Sequence, residues 1–504
     1  MKHWPTVLAV LLPFISKAQG AGNELFDTDQ VIEIQLTFAQ PGYWDSLTTY
    51  YEEGLERNLL ASVTLIDAMG IYAYDSVGVR LKGNSSYGLP EKKSMKIDFN
   101  EYVSGQKYHG LKKINLNNGF NDPTMLREKV FFDYCLEQGV LAPRAGFGDL
   151  YINGSLWGFY GVVEQVDKTF LDRWVDDQDG NLFKAGDNFG MGGGSAADLA
   201  WYGSAQSSYA TRYEQKTNED LNDWSDLLEL INVLNNSTDI EAEFPDMWVW
   251  EPMLRSLAID NIFSNLDAYI NSARNYYIYH DSTTLHWNWI KWDANEAFGR
   301  YSSGVPNLLN LAPNYVANSR PLMTKIMNTP SFYSDYLVQY CTALENFTNA
   351  HLDQHIDSLA DMVRSHVYAD PNMQYTNAQF ESNLASNITV TGGMGSQTVF
   401  GLKSFISSRR SYLTGVLDCA TVGIAEPAAS GMFIVSPNPC TDVLTVSLPD
   451  GAALRNVALM DATGRALPVR VFGRTIDLST LRAGLYVLSV EINGHVLQQR
   501  VVKE

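Results

Sequence analysis

The chain has 504 residues, and its 36 Lys and Arg against 57 Asp and Glu give a formal net charge of −21. This acidity argues against a protein that binds nucleic acid along the phosphate backbone. An apolar content of 45% with 12% aromatic residues excludes general disorder, and four cysteines are too few for a disulfide-dense scaffold.

The N-terminus has the pattern of a secretory signal peptide over residues 1–18. Lys2 supplies a positive start, residues 4–15 form an apolar run, and the small residues Ser16 and Ala18 precede a cleavage site. The run is shorter than the roughly 20 residues that a membrane-spanning helix needs. We expect an exported mature chain without a transmembrane helix; a buried N-terminal helix is the alternative.

Strand patterns dominate residues 29–190. Residues 94–99 alternate strictly, which places Met95, Ile97 and Phe99 on one face and Lys96 on the other. A helix is predicted over residues 125–138, and a hairpin around Asn153-Gly154. Strands are predicted at residues 31–36, 61–65, 75–81, 94–99, 113–116, 148–153 and 157–164.

The pattern becomes mostly helical from about residue 215. Apolar residues recur at helical spacing, and one pair of strands interrupts them. Helices are predicted at residues 223–235, 248–270, 321–347 and 400–417, and the strands at 275–280 and 285–292. A β-rich part followed by a helical part predicts an α+β fold.

Short motifs follow one another in order through most of the mature chain. They are Arg80-Leu81-Lys82-Gly83-Asn84-Ser85-Ser86, Lys92-Lys93-Ser94-Met95-Lys96-Ile97, Leu116-Asn117-Asn118, Asp122 with Arg127-Glu128, Ile152-Asn153-Gly154, Asn265 with Asp267, and Trp292-Asp293 with Phe298-Gly299. Together they resemble the CotH kinase family, named for a bacterial spore-coat protein. The resemblance implies that residues 23–418 form an atypical protein-kinase-like fold, with a β-rich N-lobe and a helical C-lobe. It also implies transfer of phosphate from ATP with Mg²⁺ or Mn²⁺.

Phosphoryl transfer requires cations around the phosphates and a carboxylate that orients the acceptor. The turn Gly83, Asn84, Ser85 and Ser86 has N–H groups and hydroxyls suited to phosphate oxygens, although alone it is an ordinary polar turn. Lys96, or Lys93 if the strand begins late, is the candidate phosphate-binding lysine. A solvated basic strand edge is the alternative for both.

Two glutamates complete the nucleotide side of the candidate site. Glu128, on the predicted helix, is the candidate ion-pair partner of that lysine, or a carboxylate favoured by the helix dipole. Glu164 follows a hydrophobic strand, where a kinase hinge meets adenine, or it is a surface residue.

The catalytic side of the candidate site lies between residues 265 and 299. Asp267 is the candidate catalytic base, Asp293 the candidate metal-binding aspartate, and Asn275 a candidate neutral metal ligand. Two positions depart from the expected patterns. Ordinary kinases have an asparagine five residues after the catalytic aspartate, where this chain has Ser272, and the family often has a second aspartate where this chain has Asn295. A pseudokinase therefore remains an alternative.

Residues 419–431 contain Pro, Ala, Ser and Gly and predict a linker, after which residues 432–504 show short strands between turns. This pattern predicts a small all-β Ig-like sandwich. Its Ser436-Pro437-Asn438-Pro439 opening, Gly484-Leu485-Tyr486 and basic end at Lys503 resemble the type A sorting domain of the Bacteroidota type IX secretion system. The resemblance implies passage through that machinery, then release or anchoring at the cell surface outside the outer membrane. A generic Ig-like binding module is the alternative.

The four cysteines would meet an oxidising environment after export. Their spacing fits no zinc pattern, and four cysteines allow three complete pairings. Cys341 with Cys419 is the favoured pair, since both fall in the helical region before the linker; unpaired thiols remain equally open.

Three functions compete at this point. The first is a secreted kinase that uses Mg²⁺–ATP to phosphorylate a protein or another extracellular acceptor. The second is a catalytically silent surface or matrix scaffold. The third is a carbohydrate-binding or carbohydrate-active protein, suggested by 11 Trp and 27 Tyr, although aromatic residues in folded chains lie mostly in the core.

Overall fold

The structure is a computed structural model that describes residues 20–27, 29–175, 177–186, 196–392, 395–420, 422, 434–448, 455–461, 466–492 and 495–503. The predicted signal peptide and most of the predicted linker lie outside the described residues. The chain divides into two compact units, residues 1–419 and 420–504. In the described ranges, no helix combines the length and apolar composition needed to cross a membrane.

A closed seven-stranded barrel forms the first part of the larger unit. Its strands are β1 (Val31–Thr37), β2 (Leu59–Asp67), β3 (Gly70–Lys82), β4 (Ser94–Asp98), β5 (Lys113–Asn117), β6 (Ala145–Ile152) and β7 (Ser155–Glu164). They neighbour one another in the order β1-β2-β3-β4-β5-β7-β6, and the parallel pairing of β1 with β6 closes the barrel. Alternate side chains such as Val79, Ile97 and Leu116 fill its apolar interior. The seven predicted strands are thereby confirmed, with slightly different ends.

Helices dominate the rest of this unit. The described helices are α1 (Asn23–Phe26), α2 (Tyr43–Glu52), α3 (Arg127–Glu137), α4 (Lys168–Trp174), α5 (Ser225–Asn236), α6 (Ile240–Glu243), α7 (Trp250–Ile262), α8 (Tyr269–Ser272), α9 (Pro321–Asn328), α10 (Pro330–Glu345), α11 (Asn349–Ala369), α12 (Asn377–Ala385) and α13 (Leu402–Val416). The mixed α+β prediction is confirmed. One predicted helix breaks at Pro330, which starts α10 because proline has no N–H for the preceding turn. The sequence patterns missed α11, which has 21 residues.

A second sheet lies among these helices. Its strands are β8 (Asn181–Ala185), β9 (Tyr213–Gln215), β10 (Tyr276–His280) and β11 (Trp287–Lys291), in the order β11-β10-β8-β9. A two-stranded sheet follows, made of β12 (Ile388–Gly392) and β13 (Gly395–Val399). Much of the aromatic content is core, since Trp287, Tyr276 and Tyr269 are fully buried.

The predicted pairing of Cys341 with Cys419 is confirmed by a disulfide that joins α10 to the segment after α13. Cys135 is a buried free thiol, and Cys440 is buried in the smaller unit. The alternative of unpaired thiols is therefore wrong for Cys341 and Cys419.

The smaller unit is all-β in its described residues. Its strands are β14 (Ile434–Ser436), β15 (Val443–Ser447), β16 (Arg455–Asp461), β17 (Ala466–Leu467), β18 (Arg470–Phe472), β19 (Thr475–Asp477), β20 (Gly484–Ile492) and β21 (His495–Lys503). They form two four-stranded sheets, β14-β15-β19-β18 and β17-β16-β20-β21. Leu444 and Ile476 from one sheet share a core with Leu459 and Leu488 from the other, as in a sandwich.

Candidate functional site

A cleft of about 530 Å³ in the larger unit collects most of the predicted site residues. The outer faces of β3, β4 and β5 form one side, and the start of α3 with the segments around β10 and β11 forms the other. Lys96 reaches this cleft because Met95 and Ile97, its neighbours on β4, are fully buried inside the barrel. The alternation seen in the sequence therefore places the lysine where we expected it.

The barrel side of the cleft is cationic, and we call Arg80, Lys82 and Lys96 the strand wall; Lys184 of β8 also lines the cleft. Arg80 lies directly opposite Lys96 in the antiparallel register of β3 and β4. Like charges at such a position destabilise a sheet. Glu56 balances Arg80, with 2.8 Å between Nη1 and Oε2. Among the described residues, Lys96 has no such anionic partner in contact.

The electrostatic state of Lys96 follows from this crowding. Burial lowers the pKa of its amine well below the ordinary value, and the positive charges of Arg80 and Lys82 lower it further. A bound anion would reverse both effects. Lys96 is thus suited to hold a charge that the protein itself does not supply.

Lys82, and not Lys93 or Lys96, is the lysine that hydrogen bonds link to Glu128, through the side chain of Asn117. Its Nζ donates to Asn117 Oδ1 at 2.8 Å, and Asn117 Nδ2 donates to Glu128 Oε2 at 2.8 Å. Lys82 belongs to the motif of residues 80–86, but that motif alone does not predict its role. Its two-residue spacing from Arg80 on β3 was the signal that could have found it.

The opposite side is acidic, and we call Glu128, Asp267, Asp293 and Glu296 the carboxylate wall. Burial is the main reason that the pKa of Asp267 rises to about 7, and the nearby Asp293 and Glu296 raise it further. Burial and Asp293 likewise raise the pKa of Glu128 to about 7. Glu296, which the sequence reasoning missed, is 8% exposed, and burial raises its pKa as well. These carboxylates are therefore close enough to repel one another.

Local backbone structure positions the carboxylate wall. Asp267 lies in the turn after α7, where Asn275 Nδ2 donates to its Oδ2 at 3.0 Å and Arg274 Nε lies 3.3 Å from its Oδ1. Asp293 follows β11 with a left-handed φ of 49°. A non-glycine residue rarely adopts this conformation, which concentrates at functional sites. Glu128 lies on the first turn of α3, and Ala294 N donates to its Oε1 at 3.4 Å.

The predicted turn of Gly83, Asn84, Ser85 and Ser86 lines the same cleft. Gly83 has a φ of 97°, and a Cβ there would meet Ser86 Oγ, so only glycine fits. Asn118 Nδ2 donates to Ser86 O at 3.1 Å and holds the turn against β5.

Lys93 is not brought to the cleft. Its Nζ donates to the carbonyl of Tyr87 and lies 3.9 Å from the centre of the Tyr87 ring. Tyr87 stacks on Tyr51 at 3.7 Å, and the Tyr51 hydroxyl donates to Gly83 O. Lys93 therefore supports the Gly83–Ser86 turn through Tyr87 and Tyr51. It does not point into the cleft, because β4 begins one residue later, at Ser94.

Glu164 is not brought to the cleft either. Its Oε2 accepts from Arg144 Nε at 3.0 Å and from Arg144 N at 3.1 Å, and both side chains are buried. Arg144 in turn donates to the carbonyl of Ala21 at 2.6 Å. Glu164 thus belongs to an ion pair that fastens the N-terminal segment to the barrel.

The residues of the cleft fit a metal ion only together with a ligand. Within the described residues, no three His, Cys, Asp or Glu side chains form a metal-binding group by themselves. Mg²⁺ commonly binds through one or two carboxylates plus substrate phosphates and water. Asp267 Oδ1 is buried and accepts no hydrogen bond within the described residues, and its charged neighbour there is Arg274 Nε at 3.3 Å. Asn295, where a second aspartate is common, donates to Phe120 O at 2.9 Å.

Comparison with known proteins gives two family matches. Residues 79–413 match the CotH kinase protein family, and residues 435–504 match the secretion system C-terminal sorting domain. The inner spore coat protein H of Bacillus subtilis is 27% identical over 289 residues, which are 56% of this chain and 75% of that protein. The invasin CotH3 of Rhizopus delemar is 22% identical over 408 residues, which are 75% of this chain and 66% of that protein.

Proposed function

The chain belongs to the CotH kinase protein family, and from that premise we propose that it is a phosphotransferase with an atypical protein-kinase-like, two-lobed fold. It transfers a phosphoryl group from a nucleoside triphosphate such as ATP to a protein or another extracellular acceptor. The proposal rests on one observation: Lys96 of the strand wall lines the same cleft as Asp267 and Asp293 of the carboxylate wall.

Each wall has a separate role in this proposal. Lys82, Lys96 and the Gly83–Ser86 turn bind phosphate oxygens, since charge-assisted hydrogen bonds are the strong ones. Asp267 accepts the proton of the acceptor hydroxyl, as a base with a pKa near 7 can do. Asp293 and Asn275 would hold Mg²⁺ or Mn²⁺. The metal, when bound, neutralises charge on the phosphates.

The C-terminal sorting domain makes this a secreted or cell-surface protein. We propose the type IX secretion machinery as the partner of residues 435–504. Deleting residues 431–504 should then retain the chain inside the cell envelope, as fractionation would show; normal release of the shortened chain would contradict this part.

A silent scaffold is the second candidate function. The relatives are named for a spore coat and for an invasin, and neither of those names states a reaction. The asparagine at position 295 also removes one charge from the family's metal-binding pattern. A carbohydrate-directed function receives no comparable support.

One experiment separates the two candidates. The mature chain is incubated with labelled ATP, Mg²⁺ or Mn²⁺ and candidate acceptor proteins, beside Asp267→Ala, Asp293→Ala and the exposed control Asp220→Ala. We expect transfer by the native chain and the control but not by the two cleft variants. Transfer that survives in both cleft variants would remove the site assignment. The absence of a nucleotide-dependent thermal shift with every metal would favour the scaffold.

A further inference from the structure

The amide side chains on the inner surface of the cleft are already engaged with the protein. Asn115 Nδ2 donates to Gln165 Oε1 at 3.3 Å, and Gln165 Nε2 donates to Val166 O at 3.0 Å. Asn117 Nδ2 donates to Glu128. A site discriminates strongly between ligands when its buried polar groups are left unpaired by the wrong one. These amides lose no partner whichever base is bound.

The carboxylate expected to contact adenine is also engaged. Glu164 is 1% exposed and bonded to Arg144, so it offers nothing to a base. Aromatic side chains also line the cleft, among them Trp292, whose ring packs edge-on against Tyr277 at 5.5 Å. Stacking on an aromatic ring tolerates every base, because each base has a π-face.

Unlike the amides and Glu164, the cations of the cleft are suited to bind a ligand, namely a phosphate chain. Three cations, Arg80, Lys82 and Lys96, project from two adjacent strands, and Lys184 of β8 lines the same cleft. Lys96 has no contacting anion among the described residues, although Arg80 and Lys82 crowd it. A polyphosphate would relieve this repulsion, and it would do so independently of the group attached to it.

We propose that the cleft selects its phosphate donor by the polyphosphate chain and not by the base, so that nucleoside triphosphates of any base and inorganic tripolyphosphate are all donors. This inference rests on the proposed phosphotransfer. In the reaction, the bond between the terminal phosphorus and its bridging oxygen breaks. Its electron pair leaves with the nucleoside diphosphate when a nucleotide is the donor, and with pyrophosphate when tripolyphosphate is the donor. The acceptor oxygen forms the new bond to phosphorus, and its proton goes to Asp267.

Binding to the full mature chain in Mg²⁺ tests the inference by calorimetry with ATP, GTP, CTP, sodium tripolyphosphate and adenosine. We expect the three nucleotides to agree within about threefold, tripolyphosphate to bind within about tenfold of ATP, and adenosine not to bind measurably. A preference for ATP over GTP and CTP of more than about tenfold, or tight binding of adenosine, would overturn the inference and leave the proposed function intact. Failure of every phosphorylated probe to bind would overturn both.

Two matched lysine variants localise the effect. Lys96→Met keeps the aliphatic stem and removes the charge, and Lys403→Met does the same on α13 outside the cleft, where Lys403 pairs with Asp357 at 2.6 Å. Lys96→Met should weaken ATP and tripolyphosphate equally, by roughly 10- to 100-fold, the usual range for one charged hydrogen bond. Lys403→Met should leave the binding of ATP and of tripolyphosphate unchanged. Loss of ATP binding alone in Lys96→Met, in a chain with a native circular dichroism spectrum, would contradict the inference.

Discussion

The two walls of the cleft differ in how the chain builds them. Arg80, Lys82 and Lys96 of the strand wall lie within 17 residues on two paired strands, so sheet register alone brings them together. The carboxylate wall joins Glu128 of α3 to Asp267, Asp293 and Glu296, more than a hundred residues away. A cationic surface can thus be a local property of a sheet, whereas the acidic surface opposite exists only after the chain has folded.

The electrostatics of the walls are complementary. Crowding and burial lower the pKa of Lys96 on one side and raise the pKa of Asp267 and Glu128 on the other. Each wall is therefore less charged alone than it would be beside its ligand. The strand wall should mainly determine donor binding, and the carboxylate wall should mainly determine the chemical step.

The sharpest separation of the two roles is expected from Asp293→Asn. Transfer should fall by about 10³-fold or more, because the metal would lose a charged ligand. Tripolyphosphate binding measured without metal should stay within about twofold, because the strand wall is unchanged. Steady-state kinetics and calorimetry measure the two quantities. A parallel loss of both would show that the walls do not act separately.

The pH dependence of stability tests the carboxylate wall without a ligand. The folded-state pKa values of Asp267 and Glu128, near 7, exceed those of the unfolded chain. Their stabilising contribution is therefore complete below about pH 4 and is lost as the pH rises through 7. The melting temperature of the ligand-free chain should carry a component that falls between about pH 4 and 7, and Asp267→Asn should reduce that component. Identical profiles for the two chains would contradict the raised pKa of Asp267.

The strand wall has a stability test of its own. Lys96→Met should raise the melting temperature by a few degrees, because it removes an amine that burial and neighbouring cations disfavour. Lys403→Met, which breaks an ion pair with Asp357, should not raise the melting temperature. Differential scanning calorimetry provides the comparison. Destabilisation by Lys96→Met would show that the protein already neutralises this lysine.

The smallest effect is expected from Lys93, which supports the strand wall indirectly. Lys93→Met should raise KM for the donor by roughly three- to tenfold and leave kcat nearly unchanged, because the Gly83–Ser86 turn loses its brace. Amide hydrogen exchange at residues 83–88 should quicken, and Lys93→Arg should restore part of the protection. A loss of kcat as large as that of Asp293→Asn would instead indicate direct contact with the donor.

Particular residues show how far sequence patterns reach. The alternation of residues 94–99 correctly predicted the outward direction of Lys96, because side chains of a strand point to opposite faces. Lys93 was the alternative only if that strand began late, and β4 begins at Ser94 as predicted, so Lys93 supports the Gly83–Ser86 turn instead. Glu164 illustrates a failure, since no local pattern indicates that Arg144 occupies its carboxylate.

The sequence by itself determined the α+β order, all seven barrel strands, the described strands of the smaller unit that carry a clear alternation, and the resemblance to two families. These features depend on periodicity and on short motifs, which are local. Only the tertiary structure decided the closure of the barrel through β1 and β6, the link of Lys82 to Glu128 through Asn117 in place of Lys93 or Lys96, and the addition of Glu296 to the cleft. Contacts between residues far apart in the chain depend on packing and burial, and a linear pattern does not encode which distant partner a charged side chain will meet.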